Sequence, residues 1–298
     1  MRLSSATTSD AVLAQLKRLS SRQAELQNQV ATGQRIFQPG DDSAAAGRVI
    51  GDQLELRSLA QYSSNATSAL EYSKTSYAGL DQIKKLSDRA GELAVLGNGS
   101  INDQAMHAYA AEVDQLLEQT VALGNTRFRN DYLFAGTATD QAPYVPTRDS
   151  NGRISSVAYA GNQSRLSVPI GDGASIHPTP DSSTNLGIAD FMTRLVALRD
   201  ALQSGNTAAV QAVRPNLENS EDVLVTSLSG HGAIQMRIEV AQSQQRARID
   251  ELGRQISAEV DADLPATIVQ LNQTTQAYEA ALSSSATILK MSLLDYIR

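Results

Sequence analysis

The sequence contains no cysteine and no tryptophan, and aromatic residues make up only 4% of its 298 positions. The absence of cysteine excludes disulfides, thiolate catalysis and cysteine-ligated metal sites. So few aromatic rings would poorly fill the core of a compact enzyme. They are typical of long, thin helical bundles, in which small side chains pack between helices.

Basic charge and long apolar runs are also scarce. The net charge is −7, which argues against a nucleic-acid partner, because phosphate neutralisation requires a basic face. No run reaches the ~20 apolar residues of a membrane span, so no membrane insertion is expected. The opening residues, MRLSSATTSD, lack the apolar core of a signal peptide. The chain is therefore expected to be cytoplasmic, or exported by a route that cleaves no signal.

The histidines and glycines do not form a recognisable active-site motif. His107, His177 and His231 are far apart in the sequence, and we interpret them as ordinary surface or turn residues. The string Gly230-His-Gly232 does not match a phosphate-binding loop. We predict no cofactor, no metal and no enzymatic activity.

Paired carboxylates at Asp41 and Asp42 are the one candidate for acid–base chemistry. They directly precede Ser43-Ala-Ala-Ala46, where carboxylates cap a helix and face the positive end of its dipole. A helix cap is therefore the favoured interpretation.

Both ends of the chain carry an apolar stripe at alternating steps of four and three residues. The stripes consist of Val12, Leu16, Leu19, Leu26 and Val30 near the start, and of Leu264, Ile268, Leu271, Tyr278, Leu282 and Leu289 near the end. Gln23 interrupts the first stripe, and Thr275 and Ser285 interrupt the second. This spacing predicts coiled-coil helices that each need a partner. A building block is a better interpretation than a catalyst.

The middle of the chain contains a proline-rich segment, with five of the eight prolines between residues 136 and 187. Asn151-Gly152 predicts a hairpin turn before a strand over residues 153–159. Residues 165–170 predict a second strand, and Pro169 favours an edge position for it. We therefore predict a small β insertion. We also expect that a short linker could replace residues 140–182.

Helical patterns cover residues 43–96, 103–126, 188–204 and 207–260, with Pro215 expected to kink or restart the last of these. Asp263-Leu-Pro265 predicts the N-cap of a further helix. The predicted fold is mainly α, a long antiparallel helical rod with paired terminal helices and a small β insertion. Its domains are a terminal coiled coil (1–40 with 261–298), a helical rod domain (41–136 with 188–260) and the insertion (137–187).

The charges of the two ends favour their pairing. Residues 1–40 carry five basic and two acidic side chains, whereas residues 260–298 carry two basic and four acidic ones. Each exposed pair contributes little.

Three stretches resemble the bacterial flagellin superfamily. The first is Gln29-Val-Ala-Thr-Gly-Gln-Arg-Ile36 followed by Pro39-Gly-Asp-Asp42, whose family pattern is carried by Gly33, Arg35, Ile36, Pro39, Asp41 and Asp42. The second is Asn130-Asp-Tyr-Leu-Phe-Ala-Gly-Thr137, with Tyr132, Leu133, Phe134 and Gly136. The third is the ending Ser292-Leu-Leu-Asp-Tyr-Ile297, with Leu293 and Leu294. The last two look like the hook–filament junction proteins of that superfamily, known as hook-associated protein 3.

The resemblance implies a structural subunit of the bacterial flagellum that forms the junction between hook and filament by packing of its terminal helices. It implies export through the flagellar type III apparatus, and assembly into a ring with copies of itself. The implied partners are the first junction protein, flagellin and an export chaperone. A filament flagellin is the alternative within the family, and a cytoplasmic helical scaffold or small enzyme is the alternative outside it.

Overall fold

The fold is mainly helical. A computed structural model describes residues 2–99 and 102–296, with side chains for residues 10–99 and 102–287. Within this part, the elements in chain order are α1 (Arg2–Thr32), α2 (Ser43–Gly99), α3 (Asp103–Gly124), β1 (Arg127–Phe128), β2 (Asp131–Tyr132), β3 (Tyr144–Arg148), β4 (Ile154–Tyr159), β5 (Val168–Gly171), β6 (Ala174–Ile176), α4 (Ser182–Gln203), α5 (Thr207–Val260) and α6 (Leu264–Tyr296). Over these residues, we find no helix with the length and apolarity needed to cross a membrane.

The predicted mainly α fold with a small β insertion is confirmed. The helix start at Asp263 also agrees with the sequence, since the Asp263 carboxylate accepts the N–H of Ala266 at 3.1 Å. The helix expected to end at residue 96 instead continues to Gly99. The expected restart at Pro215 is wrong, because α5 continues through it. Pro215 is exposed, so water can solvate the carbonyl group that loses its N–H partner there.

The chain divides into two compact units. The terminal unit comprises residues 1–57 and 248–298, and the central unit comprises residues 58–247. The division falls inside α2 and α5. The three domains proposed from the sequence stay a prediction.

The central unit contains the larger apolar core, in which α3 packs on α4. The β insertion contributes fully buried side chains to this core, among them Tyr144 and Ile154. The Tyr144 hydroxyl donates to the carbonyl of Asn185 at 2.8 Å. The buried Arg199 of α4 donates to the carbonyl of Ile154 at 2.5 Å and to the Asp114 carboxylate at 2.9 Å. Strand β4 is therefore bonded to the helical core.

Three separate two-stranded antiparallel sheets make up the β structure of the described residues. The hairpin predicted at Asn151-Gly152 joins β3 to β4, and the Asp149 carboxylate closes it by accepting the N–H groups of Asn151 at 2.8 Å and Arg153 at 3.0 Å. Strand β5 pairs with β6. The sequence did not predict β1, β2, β3 or β6.

This packing reverses the expectation that a linker could replace residues 140–182. The replacement would remove Tyr144 and Ile154 from the core, and it would take the Ile154 carbonyl from Arg199, which would keep the carboxylates of Asp114 and Asp200. The loss of two large, fully buried side chains from a core is strongly destabilising. We now expect the replacement to unfold the central unit.

His231 corrects the interpretation of the histidines. It lies within α5 and is only 4% exposed, rather than on the surface or in a turn. Its ring Nδ1 lies 3.3 Å from the Ser73 hydroxyl. Burial lowers its pKa from the ordinary 6.5 to about 4, so the ring is neutral at neutral pH.

We predict that Ile154→Ala lowers the free energy of unfolding of the central unit by about 2–5 kcal/mol, because the variant leaves a cavity in the core. Val145→Ala on the neighbouring strand is the matched control. Val145 is 46% exposed, so its truncation should cost less than about 1 kcal/mol. Denaturant unfolding, monitored by near-ultraviolet circular dichroism, measures the free energy of unfolding of both variants. Equal decreases in the free energy of unfolding for the two variants would show that β4 does not belong to the core.

Candidate assembly interface

The two ends of the chain pack against each other as an antiparallel helix pair, α1 with α6. On α1, the five predicted stripe residues point into this contact. Leu26 is buried, and Val12, Leu16, Leu19 and Val30 are half-buried. We call the α1–α6 contact the terminal seam.

A polar pair in the terminal seam is formed by two of the polar residues that interrupt the apolar stripes. The Gln23 side-chain amide donates to the Thr275 hydroxyl at 3.3 Å. One position earlier on α1, Arg22 donates to the side-chain oxygen of Gln270 at 3.4 Å. A polar pair in an apolar seam favours one register over its neighbours, because a slip would leave both groups unbonded.

The α6 face in the terminal seam is more polar than the predicted stripe. Thr267 and Ser285 are buried there, and Leu271, Thr275 and Tyr278 are half-buried. By contrast, Leu264, Ile268 and Leu282 of the predicted stripe are 39%, 44% and 44% exposed. The side chains of this stripe are thus covered unevenly within the chain. The side chains of Leu289, Leu293 and Leu294 lie outside those that the structure describes.

The terminal unit exposes more large apolar side chains than it buries. Among its described side chains, the buried apolar ones are Leu26, Ala45, Val49 and Leu252. The exposed large ones are Leu13, Phe37, Ile50, Leu54, Leu264, Ile268, Val269 and Leu282. Large apolar side chains that form a contiguous exposed patch are typical of surfaces that contact another molecule.

The first family motif lies where the chain passes from α1 to α2. We call this segment, residues 33–42, together with residues 259–263, the clasp. Gly33 ends α1 in the left-handed region at φ 71°, and its N–H bonds the carbonyl of Gln29 at 2.8 Å. Backbone bonds then join the two strands of the clasp, from Arg35 N to Val260 O at 2.6 Å and from Ala262 N to Gly33 O at 2.8 Å.

Charged side chains complete the clasp. The Arg35 guanidinium donates to the carbonyl of Glu259 at 2.7 Å and lies 3.7 Å from the Asp42 carboxylate. Arg48 donates from Nε and Nη2 to the two oxygens of the Glu259 carboxylate, at 2.9 and 3.0 Å. This hydrogen bonding with Arg48 lowers the pKa of Glu259. The sequence offered no signal for Glu259 or Arg48, because the two residues are 211 positions apart.

The paired aspartates have separate structural roles, as the cap interpretation partly expected. Asp42 caps α2 by accepting the N–H of Ala45 at 2.9 Å. Asp41 instead closes the turn before it, accepting the N–H groups of Phe37 at 2.9 Å and Gln38 at 2.8 Å. The N–H groups of Gln38 and Phe37 lower the pKa of Asp41, and that of Ala45 lowers the pKa of Asp42. Of the other motif residues, Ile36 is half-buried and Pro39 is exposed in the turn.

The second family motif lies in the central unit, away from the clasp in sequence, and has a packing role. Leu133 and Phe134 are fully buried in the core. Tyr132 follows the β1–β2 turn and accepts a hydrogen bond from Arg127 at 2.6 Å. Gly136 adopts φ 69°, where an added Cβ would lie 2.4 Å from the Asn162 side-chain oxygen. Only glycine fits that position.

The described residues contain no group of three or more histidine, aspartate or glutamate side chains that could hold a metal ion. The aspartate pair is already occupied by backbone N–H groups. The interface is therefore built for packing and hydrogen bonding.

We predict that the clasp loosens as the pH falls below the ordinary aspartate value of 3.8. Both aspartates have a lowered pKa in the folded chain. Their ionised carboxylates therefore stabilise the fold at a pH above the ordinary pKa, and this stabilisation is lost as the pH falls through their lowered pKa values. Amide chemical shifts of Phe37, Gln38 and Ala45, followed by NMR during an acid titration, report each protonation. The variants Asp41→Asn and Asp42→Asn keep an acceptor oxygen and should abolish the corresponding titration. Midpoints at or above 3.8 in the parent protein would contradict the prediction.

Comparisons with known proteins agree with the motifs. A family model described as the bacterial flagellin N-terminal helical region matches residues 3–139. Flagellar hook-associated protein 3 of Salmonella typhimurium is 26% identical, over 94% of this chain and 95% of the relative. The protein of the same name from Escherichia coli is 26% identical, over 90% of each chain. A solved structure of a putative flagellar hook-associated protein from Vibrio parahaemolyticus has the same fold, with a TM-score of 0.65 and 16% identity over 74% of this chain and 100% of that one.

The family match includes both the clasp motif and the Tyr132–Gly136 motif. The similarity to the two curated relatives extends over 94% and 90% of the chain. The chain is thus similar to the bacterial flagellin family over residues 3–139, and to hook-associated protein 3 over nearly its whole length.

Proposed function

We propose that this protein is a structural subunit of the bacterial flagellum that forms the junction between hook and filament. The observation that carries the proposal is the surface of the terminal unit, where exposed large apolar side chains outnumber the buried ones. Neighbouring subunits cover these side chains during assembly. The full-length similarity to two proteins named for their association with the hook supports the junction over the filament.

The proposed contacts involve the terminal helices. The terminal seam joins α1 to α6 within one subunit. The exposed residues of the α6 stripe, Leu264, Ile268 and Leu282, pack on a neighbouring subunit. The opposite net charges of the two chain ends favour contact between the α1 of one copy and the α6 of the next. In this proposal, Leu289, Leu293 and Leu294 continue the contact toward the C-terminus.

The partners follow from the position at the junction. They are copies of this chain in a ring, the first junction protein on the hook side and flagellin on the filament side. The subunit reaches that position outside the cell by flagellar export without a cleaved signal, escorted by an export chaperone. No feature of the described residues favours catalysis.

The decisive variant is Leu282→Asp. Leu282 is 44% exposed, so a carboxylate there should leave the monomer folded. In the assembled contact the same carboxylate would be buried without a partner, at a cost of several kcal/mol. Ser284→Asp places the same charge two positions away on an exposed polar site and is the matched control.

We expect cells that carry Leu282→Asp in place of the natural gene to export the variant normally and build hooks without filaments, releasing flagellin into the medium. Cells that carry Ser284→Asp should swim. Far-ultraviolet circular dichroism of both purified monomers checks that the helices are intact. Normal filaments on cells with Leu282→Asp would exclude this face as the assembly contact.

Labelling the protein on isolated flagella separates the junction from the filament. A junction subunit is confined to the end of the hook, where the filament begins. A filament flagellin labels the full length of sheared filaments, and that outcome would replace the junction by the alternative within the family.

A further inference from the structure

The central unit contains a cavity of about 430 Å³ that assembly through the terminal helices does not use. It lies between the N-terminal end of α4, the middle of α5 and Arg165, which precedes β5. Its volume falls in the range of small-molecule sites in proteins. Its wall combines charged and hydroxyl side chains with the apolar Val223 and Ile234.

Two exposed side chains of opposite charge, Arg165 and Asp222, line this cavity. Among the described residues, neither makes a hydrogen bond or a close ion pair, and the Arg165 charge acts on the Asp181 carboxylate only through space. The third charged group of the wall, Asp181, is different, because it accepts hydrogen bonds from the backbone N–H and hydroxyl of Thr184 at 2.8 and 2.6 Å. One cation and one anion are thus available to a ligand.

His231 supplies a buried polar group at the same cavity. Its Nδ1 is held by Ser73 at 3.3 Å, whereas its Nε2 has no hydrogen-bond partner among the described residues. The ring is almost wholly buried and lines the cavity.

Gly230 lines the cavity in the interior of α5, where glycine weakens a helix relative to alanine. An added Cβ there would meet nothing within 4 Å, so packing within the chain does not require glycine. Gly187 on α4 shows the contrasting case, since its Cβ would lie 2.7 Å from a methyl group of Val223. Glycine at position 230 keeps the backbone accessible from the cavity, as close approach of a ligand requires.

We propose that this cavity binds a free α-amino acid. Its carboxylate pairs with Arg165, its ammonium group pairs with Asp222, and an aliphatic side chain rests on Val223 and Ile234. A phosphate-bearing ligand fits less well, because the carboxylates of Asp181 and Asp222 would repel it. A quaternary ammonium ligand fits less well, because no Trp, Tyr or Phe ring lines the cavity.

Calorimetric titration of the full-length protein with L-leucine tests the proposal. Two probes each lack one charge of leucine: 4-methylpentanoate lacks the ammonium group and 3-methylbutylamine lacks the carboxylate. We expect L-leucine to bind and each analogue to bind at least about tenfold more weakly, because each loses a charge-assisted hydrogen bond. No binding of L-leucine at millimolar concentration, or equal binding of either analogue, would overturn the proposal.

Charge variants locate the site. Arg165→Ala and Asp222→Ala should each reduce leucine affinity at least about tenfold. Arg237→Ala and Glu239→Ala remove exposed charges elsewhere on α5 and should leave the affinity unchanged. Unchanged affinity in both cavity variants would refute the assignment.

A pair of glycine variants separates binding from stability. Gly230→Ala and Gly232→Ala should both raise the melting temperature, because alanine favours the helix. Only Gly230→Ala should also weaken leucine binding, since Gly232 does not line the cavity. Equal affinity of the two variants would contradict the role of Gly230. None of these outcomes depends on whether the protein assembles at the junction.

Discussion

The terminal unit depends on the antiparallel contact between its first and last helices. That contact brings together residues that lie more than two hundred positions apart, and the clasp closes it at one end with backbone hydrogen bonds and the shared carboxylate of Glu259. The apolar core of this unit is small. Its geometry is fixed mainly by directed bonds, at Gln23 with Thr275 and at Arg48 with Glu259. Directed bonds specify one arrangement, whereas a small apolar contact stabilises it only modestly.

The central unit is instead held together mainly by apolar packing. Its helices α3 and α4 share a continuous apolar core, and the short strands add Tyr144 and Ile154 to it. Two-stranded sheets are marginal in isolation. Here the strands are stabilised because they pack on helices and because Arg199 and Asn185 bond them. A segment that looks like a separate insertion in the sequence is therefore part of the fold.

The sequence predicted the helices well, because a spacing of four and three residues is a local property. The face that α6 turns toward α1 was less predictable. Leu271 and Tyr278 of the predicted stripe are half-buried in the terminal seam, whereas Leu264, Ile268 and Leu282 of the same stripe are exposed. Spacing alone therefore does not tell which residues of the stripe α1 covers. Strand β3 contains Pro146 and few apolar residues, and its pairing with β4 depends on tertiary contacts. The sequence showed the motif at residues 33–42 but not its contacts with residues 259–263. No local pattern encodes a contact between residues as distant in sequence as Arg48 and Glu259.

The distribution of tyrosine gives the two units separate optical signals. The chain has no tryptophan, and seven of its nine tyrosines lie in the central unit. Near-ultraviolet circular dichroism arises from aromatic rings held in asymmetric surroundings, such as the buried Tyr144. It therefore follows the packing of the central unit almost alone, whereas the far-ultraviolet signal follows the helices of both units. Heating the unlabelled monomer while recording both signals distinguishes loss of the terminal helices from loss of the core.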